Sequence, residues 1–552
     1  MSERFEHHAR TVTVLTFLSR ITGLLRDASL ARIFGNGALM DAFGFAFMIP
    51  NLFRRLFGEG ALSAAFLPVY TQLDKTQPAV GKQLATLTLG LMFIMLGGLT
   101  VLGELVLWIA LSLGVSKDAL AIHLTMIMLP YMPLVCLVAI FGAMLQVHGR
   151  FGPTASAPAV LNLFLVAAAW GGYQLLRKPH EIAQTMPASA PDLDSSPAAI
   201  THLHWVAWVV IVAGFVQVLW SMWSLRTTPW YAGALARCRE AGPHMKRVLS
   251  QAWPMFIGLG VLQVNTFIDG IVASYPTTFG PHFFGWEYPL SSGALASLNN
   301  AQRLYEFPLG VFGIAVATAI FPALAKLTND VHGFSDTLRR GLRLVIYIGL
   351  PASAGLILVR SQLVAAVFQG KNFTADDTDR VAFVLLGYAP AIWAYSMTHV
   401  LTRAFYAKGD SFAPVRVAVS MVFLNFALNV SLIWTPLHEA GLAWSTAFCA
   451  IIQSFILLRM VRRRYADHAI VDRDVRLSWL RTVMATLVMS AAVIAAQIFL
   501  LPMLRLTPAH ALTWRLAVLQ LAFLVAVGGL AYASASKALK MPEMWWAVGR
   551  RT

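Results

Sequence analysis

Residues 84–114 read "LATLTLGLMFIMLGGLTVLGELVLWIALSLG", with Glu104 as the one charged residue. A helix needs about 20 apolar residues to cross the hydrocarbon core of a bilayer, and this run exceeds that. Similar runs recur along the chain, for example "VAWVVIVAGFVQVLWSMWSL" at 206–225. The 552 residues are 58% hydrophobic and 12% charged, with mean hydropathy +0.65. Soluble domains lie near 45–50% apolar and about 25% charged. The chain therefore reads as an all-α polytopic membrane protein.

About fourteen spans are expected, near 12–34, 39–72, 83–114, 119–147, 153–176, 203–225, 246–274, 291–328, 337–359, 380–406, 412–434, 439–460, 478–501 and 512–536. Alternate connections carry the cations: Arg237, Arg239, Lys246 and Arg247 in one, Arg339, Arg340 and Arg343 in another, "RMVRRR" (459–464) with Arg473, Arg476 and Arg481 in a third. The intervening connections 275–290 and 435–438 have no Lys or Arg. The positive-inside rule then places both termini in the cytoplasm. It also accounts for the net charge of +16 without nucleic acid. The polar first ten residues and the absence of a small-residue cleavage site argue against a signal peptide. Cys136, Cys238 and Cys449 are scattered and form neither a disulfide framework nor a metal spacing. Outer segments 178–202 and 275–290 are too short for a catalytic domain, so the work is expected within the membrane.

A weak internal repeat suggests two lobes. "ALSAAFLPVYTQL" (61–73) parallels "AVATAIFPALAKL" (315–327), and "LLRDASLA" (24–31) parallels "TFIDGIVA" (266–273), in the same order. About six spans separate the copies, as in parallel-repeat transporters.

Six arginines fall inside spans: Arg20, Arg26, Arg32, Arg54, Arg55 and Arg303. Each costs about 2.5–3.5 kcal/mol at the bilayer centre, so each needs a reason. In "FLSRITGLLRDASLARIFG" (17–35), Arg20 and Asp27 are nearly eclipsed on a helix, and Ser19, Thr22 and Gly23 share their sector. That polar side suits a wet cavity, while Arg32 sits near the outer end and snorkels. The second span carries Asp41, Pro50, Arg54 and a Gly58–Glu59–Gly60 break, and is expected to bend. Arg303 and Glu306 share a face just before Pro308. Ion pairs Arg20–Asp27 and Arg303–Glu306 that lock helices are the plain alternative. Arginine forks lining a cavity would instead select an anion, best a phosphate or diphosphate.

These residues carry a resemblance. "SRITGLLRDASLARIFG", "MDAFGFAFMIPNLFRRLFGEGALSAAFLPV", "RLYEFPLGVFGIAVATAIFPALAK", "GLRLVIYIGLPASAGL" and "RAFYAKGDSFAPVRVA" resemble the MurJ/MviN family of lipid II flippases, in the multidrug/oligosaccharidyl-lipid/polysaccharide exporter superfamily. The resemblance runs in order over roughly 10–460. It implies two pseudo-symmetric six-helix lobes, 1–226 and 227–465, with two C-terminal helices (466–552) forming a groove for the lipid tail. It implies outward transport of the undecaprenyl-diphosphate-linked peptidoglycan precursor, lipid II, across a bacterial inner membrane by alternating access, with no covalent chemistry. The family's essential arginines fall on Arg20, Arg26, Arg54 and Arg303. Asp41 and Glu59 match acidic positions with expected gating or helix-orienting roles, beside Asp27 and Glu306 as charge partners. Some members hold sodium. The corresponding candidate site is Asp269 with Asn425, Asn429 and Thr446, although Asn429 stands where an acid is expected. No cofactor beyond a coupling ion is implied, and the chain is expected to act as a monomer among membrane lipids. Rival readings are a transporter in the same superfamily moving another polyprenyl-diphosphate oligosaccharide or a small molecule, a membrane enzyme acting on the same lipid, and a structural scaffold.

Overall fold

Unbroken apolar stretches become helices that satisfy their own backbone groups, and helices make up almost all of this protein. A computed structural model describes residues 2–58, 61–113, 119–175, 194, 196–228, 230–233, 235, 238–465, 470–503 and 513–547. The helices of the first half are α1 (Ser2–Phe34), α2 (Ala38–Phe53), α3 (Ala61–Thr76), α4 (Pro78–Ser112), α5 (Ala119–Met128), α6 (Tyr131–Val147), α7 (Gly152–Leu175), α8 (Pro197–Ser224) and α9 (Gly242–Thr278). A two-residue hairpin, β1 (His282–Phe283) and β2 (Trp286–Glu287), precedes α10 (Ala294–Pro308) and α11 (Ile314–Lys326). Then come α12 (Val331–Leu358), α13 (Arg360–Phe368), α14 (Ala375–Tyr388), α15 (Ile392–Ala407), α16 (Phe412–Leu432), α17 (Ala440–Tyr465), α18 (Arg473–Ala495), α19 (Trp514–Ala538) and α20 (Glu543–Ala547).

The opening stretch shows how such helices are placed. On α4, Leu84, Leu89, Met92 and Leu96 are buried along one face, whereas Phe93, Ile94, Val101, Leu102 and Trp108 are exposed. A helix apolar on every side belongs between protein and lipid. Its hydroxyls are satisfied internally: Thr88 donates to the Leu84 carbonyl at 2.7 Å and Thr100 to the Leu96 carbonyl at 2.8 Å.

Among the described residues, ten helical segments are long and apolar enough to cross a membrane. They are α4, α5–α6, α7, α8, α12, α14–α15, α16, α17, α18 with its continuation to Met503, and α19. The expected spans outside this set are the first, second, seventh and eighth, formed by α1, α2–α3, α9 and α10–α11. These four carry the intramembrane charges singled out above. The expected bend of the second span is a π-helical turn, Arg54–Gly58, between α2 and α3. A matching π-helical turn, Leu309–Gly313, separates α10 from α11. Each is followed by a helix with an internal proline, Pro68 or Pro322, at the paired positions of the repeat. Proline removes a backbone donor and π turns mark kinks, often at functional sites. The two weakly similar segments thus share a π turn followed by a proline-bearing helix.

The chain divides into two compact units, Met1–Ala296 and Ser297–Thr552. Compactness groups α9 with the first unit and α18–α19 with the second, a division that differs from the expected boundaries at 226 and 465. In the first unit Phe34, Leu39, Phe66, Tyr70, Leu84 and Tyr131 are buried in one core. In the second, Phe334, Leu338, Leu342, Val400 and Phe405 form another. The C-terminal helices are tied to α12: Glu543 accepts from Arg343 Nε at 2.7 Å and from the Ser478 hydroxyl at 2.6 Å. The Tyr532 hydroxyl donates to the Tyr347 carbonyl at 2.6 Å.

Candidate functional site

Asn162 sits in the otherwise apolar middle of α7 and organises the contact with α1. Its amide nitrogen donates to the Ser19 carbonyl and to the Thr22 hydroxyl, both at 3.3 Å. Its oxygen accepts from Arg26 Nη1 at 3.0 Å. Arg26 is buried, and it also pairs with Asp27 at 2.6 Å and lies 5.9 Å from the Phe47 ring centroid. These contacts correct one expectation: the Ser19–Thr22 sector turns onto α7, because a buried amide needs partners. Asp27, expected as a local counterion for Arg20 and Arg26, pairs with Arg26. Sequence reasoning passed over Asn162, although a lone carboxamide in an apolar span was the available signal.

Arg20, one and a half turns earlier, is exposed and has no hydrogen bond or ion pair among the described residues. On the π turn, Arg54 donates to Asn51 Oδ1 through Nε at 3.0 Å and Nη2 at 2.8 Å. Arg55 turns elsewhere and reaches Gln263 of α9 at 3.4 Å. Tyr131 is buried, and its ring stacks on Phe47 at 6.4 Å, the ring that Arg26 also approaches. Glu59 lies outside the described residues.

Asp41 is fully buried. Its carboxylate accepts from the Thr277 hydroxyl at 3.0 Å, the Gly293 N–H at 2.7 Å and the Ala296 N–H at 2.8 Å. Its carboxylate therefore caps the first turn of α10, where free N–H groups and the helix dipole favour an anion. A second carboxylate acts alike at the start of α2: Asp194 accepts from the N–H groups of Ala38 at 2.8 Å and Leu39 at 3.2 Å. The α2 N-cap, Gly37, has no side chain to do this, and a Cβ there would collide with Asp194.

In the second unit, Arg303 pairs with Glu306 at 3.7 Å, and its side chain is 44% exposed. Glu306 also accepts from Gln302 Nε2 at 3.0 Å. The ion pair is thus present but long and shared, which leaves the guanidinium open to solvent on one side. Tyr305, on the same helix, stacks on Tyr388 at 4.6 Å and Tyr395 at 5.6 Å and fixes α10 against α14–α15.

The candidate sodium ligands form a neutral network. Asn425 donates to the hydroxyls of Ser445 at 3.2 Å and Thr446 at 3.3 Å, and its oxygen accepts from Asn429 at 2.9 Å. The Ser445 hydroxyl donates to the Asn429 oxygen. Both amide oxygens accept a hydrogen bond within this α16–α17 cluster. Asp269, in the first unit, accepts from Asn265 at 3.4 Å. Among the described residues no group of three His, Cys, Asp or Glu is placed to hold a metal.

Comparison with known proteins gives a consistent family. The family described as lipid II flippase MurJ matches residues 30–507. The probable lipid II flippase MurJ of Vibrio cholerae is 30% identical over 478 residues, covering 83% of each chain. The lipid II flippase MurJ of Burkholderia cenocepacia is 30% identical over 469 residues, covering 82% of this chain and 83% of its own. Among solved structures, a lipid II flippase MurJ in an inward closed conformation superposes with TM-score 0.73 at 20% identity, covering 98% of this chain and 99% of its own. An inward-facing multidrug resistance transporter of the MATE family, in the MOP superfamily, gives TM-score 0.62 at 13% identity, covering 82% and 98%. These structures share the all-α membrane fold, and the family follows from sequence: the chain belongs to the lipid II flippase MurJ family.

Proposed function

We propose that this protein is a lipid II flippase that carries the undecaprenyl-diphosphate-linked peptidoglycan precursor from the cytoplasmic to the outer leaflet of a bacterial inner membrane. It is a transporter and makes or breaks no covalent bond. Family membership over 30–507 carries this reading. The placement of charge supports it, because three of the four expected spans that depart from the apolar rule bear Arg20, Arg26, Arg54 and Arg303. The MATE transporters share the fold, so fold alone does not select the cargo. Arginine forks favour a diphosphate over a cationic drug.

In this reading Arg20 and Arg303 meet the diphosphate first, since both are solvent-exposed. Arg26 and Arg54 are held by Asn162, Asp27 and Asn51, and reach the anion only by exchanging those partners for it. Asp41 and Glu59 orient helices as the cavity changes access. The protein works as a monomer with both termini in the cytoplasm, as two six-helix lobes (1–226 and 227–465), and residues 466–552 provide the surface for the polyprenyl tail. Coupling to sodium would draw its negative charge from Asp269, because Asn425, Asn429 and Thr446 are uncharged side chains.

The test is rescue of cells depleted of their own lipid II flippase. The wild-type chain restores growth and outward lipid II movement, and Arg20→Ala/Arg26→Ala/Arg303→Ala, inserted at equal level, does not. Normal rescue by the triple variant would remove the arginine mechanism, and failure of the wild-type chain would remove the cargo assignment.

A further inference from the structure

We infer that the β1–β2 hairpin is an interfacial anchor, seated by its aromatic side in the headgroup layer of the membrane at the end of α9. In the ladder His282 pairs with Glu287 and Phe283 with Trp286. Directly paired residues share a face and successive pairs alternate, so one face is polar and the other aromatic. Phe284 and Gly285 form the two-residue tip, with φ of +48° and +86°. Such a turn favours Asn or Gly at its first position. Here the strained position holds a phenylalanine that is 90% exposed, beside Trp286 at 73%. A large apolar ring held out at a strained turn is costly in water and favourable in an interface.

The depth of the hairpin selects the membrane as its occupant. The Tyr288 hydroxyl donates to the Val272 carbonyl at 2.9 Å, and the Tyr275 hydroxyl donates to the His282 carbonyl at 3.2 Å. The Tyr275 ring also lies tilted against Tyr288 at 4.5 Å and meets Phe283 edge-on at 5.6 Å. Val272 lies six residues before the helix end at Thr278, about 9 Å back along the axis at 1.5 Å per residue. The hairpin therefore folds down beside the last two turns of α9 rather than standing above them. Counting about 20 residues of hydrocarbon crossing from Ala252, just past the polar cluster Lys246, Arg247, Ser250 and Gln251, reaches Val272. Tyr and Trp concentrate at this level in membrane proteins. The segment 275–290 also lacks Lys and Arg, as expected of a piece that need not stay in water. A two-stranded hairpin is marginal by itself, and the tyrosine contacts to α9 supply the support it needs.

The test places a nitroxide at Phe284→Cys in a variant whose three buried cysteines are replaced by alanine, reconstituted in phosphatidylethanolamine–phosphatidylglycerol vesicles. Relative to a label at the exposed Asp376→Cys, oxygen accessibility at 284 is expected to rise and accessibility to an aqueous nickel chelate to fall at least threefold. Should that variant fail to fold, tryptophan fluorescence of the wild-type chain minus that of Trp286→Phe gives the same answer. Lipids brominated near the headgroup are expected to quench the difference signal, and aqueous acrylamide to leave it largely unquenched. A label as open to nickel as the reference, or a difference signal quenched by acrylamide and not by bromolipid, overturns the anchor and leaves an aromatic surface for a water-soluble partner.

Discussion

Arg20 and Arg26 lie on the same helix within two turns and do unlike jobs for stability. Arg26 is buried, with Asp27 and Asn162 as partners, and removing one member of a buried pair strands the other. Arg26→Ala is therefore expected to cost about 3 kcal/mol in addition to losing transport. Arg20 is exposed, and surface changes of that kind stay within about 0.5 kcal/mol. Arg20→Ala should melt like the wild type in detergent and still lose transport. Thermal unfolding measured beside cellular rescue separates the two, and equal melting temperatures for both variants would refute the assignment of partners. Sequence showed that both residues carry charge in a membrane span, since that needs only composition and length. It did not show which one is masked, because the masking group, Asn162, comes from a helix more than a hundred residues away.

Whole elements here are held by carboxylates at their ends. Asp41 caps α10 with two backbone N–H groups and the Thr277 hydroxyl, all buried. Asp41→Ala leaves those donors unpaired and is expected to destabilise the fold by at least about 2 kcal/mol, read from thermal unfolding of purified protein. At the junction of α15 and α16, Asp410 accepts from Arg464 at 2.6 Å, the Tyr465 hydroxyl at 3.0 Å and the Ala413 N–H at 3.0 Å. Burial pushes this carboxyl upward, but the Ala413 N–H, the Tyr465 hydroxyl and the Arg464 guanidinium outweigh it and hold it below the usual carboxylate range. Its folded pKa is thus lower than its unfolded one. The stability it contributes is full above the unfolded value of about 3.9 and is lost as pH falls through the folded value. Asp410→Asn should be less stable at neutral pH and show a flatter decline than wild type as pH drops below about 4. Parallel pH profiles would exclude Asp410 as the source. The bend of the second span was legible from Pro50 and the Gly58–Glu59–Gly60 break. That it is a π turn repeated in the second unit was not, because hydrogen-bond register leaves no simple residue signature.

For the molecule as a whole, the apolar runs made the membrane fold readable, and the arginines inside spans singled out the helices proposed to meet the cargo. Both follow from the cost of charge in hydrocarbon, which is written in composition. The energy source is not written there. A diphosphate moved outward carries about two negative charges through an inside-negative potential, worth about 2.3 kcal/mol per charge per 100 mV. That gives about 4.6 kcal/mol per 100 mV in the direction of transport, enough to drive the step without a bound ion. Collapsing the potential with valinomycin at matched potassium is therefore expected to stop lipid II movement in vesicles or cells expressing this chain. Replacing sodium by choline at constant potential is expected to leave transport unchanged, as is Asp269→Asn. If transport instead follows sodium and fails in Asp269→Asn while the potential is held, the ion gradient is the source and the Asn425–Asn429 network must open to admit it.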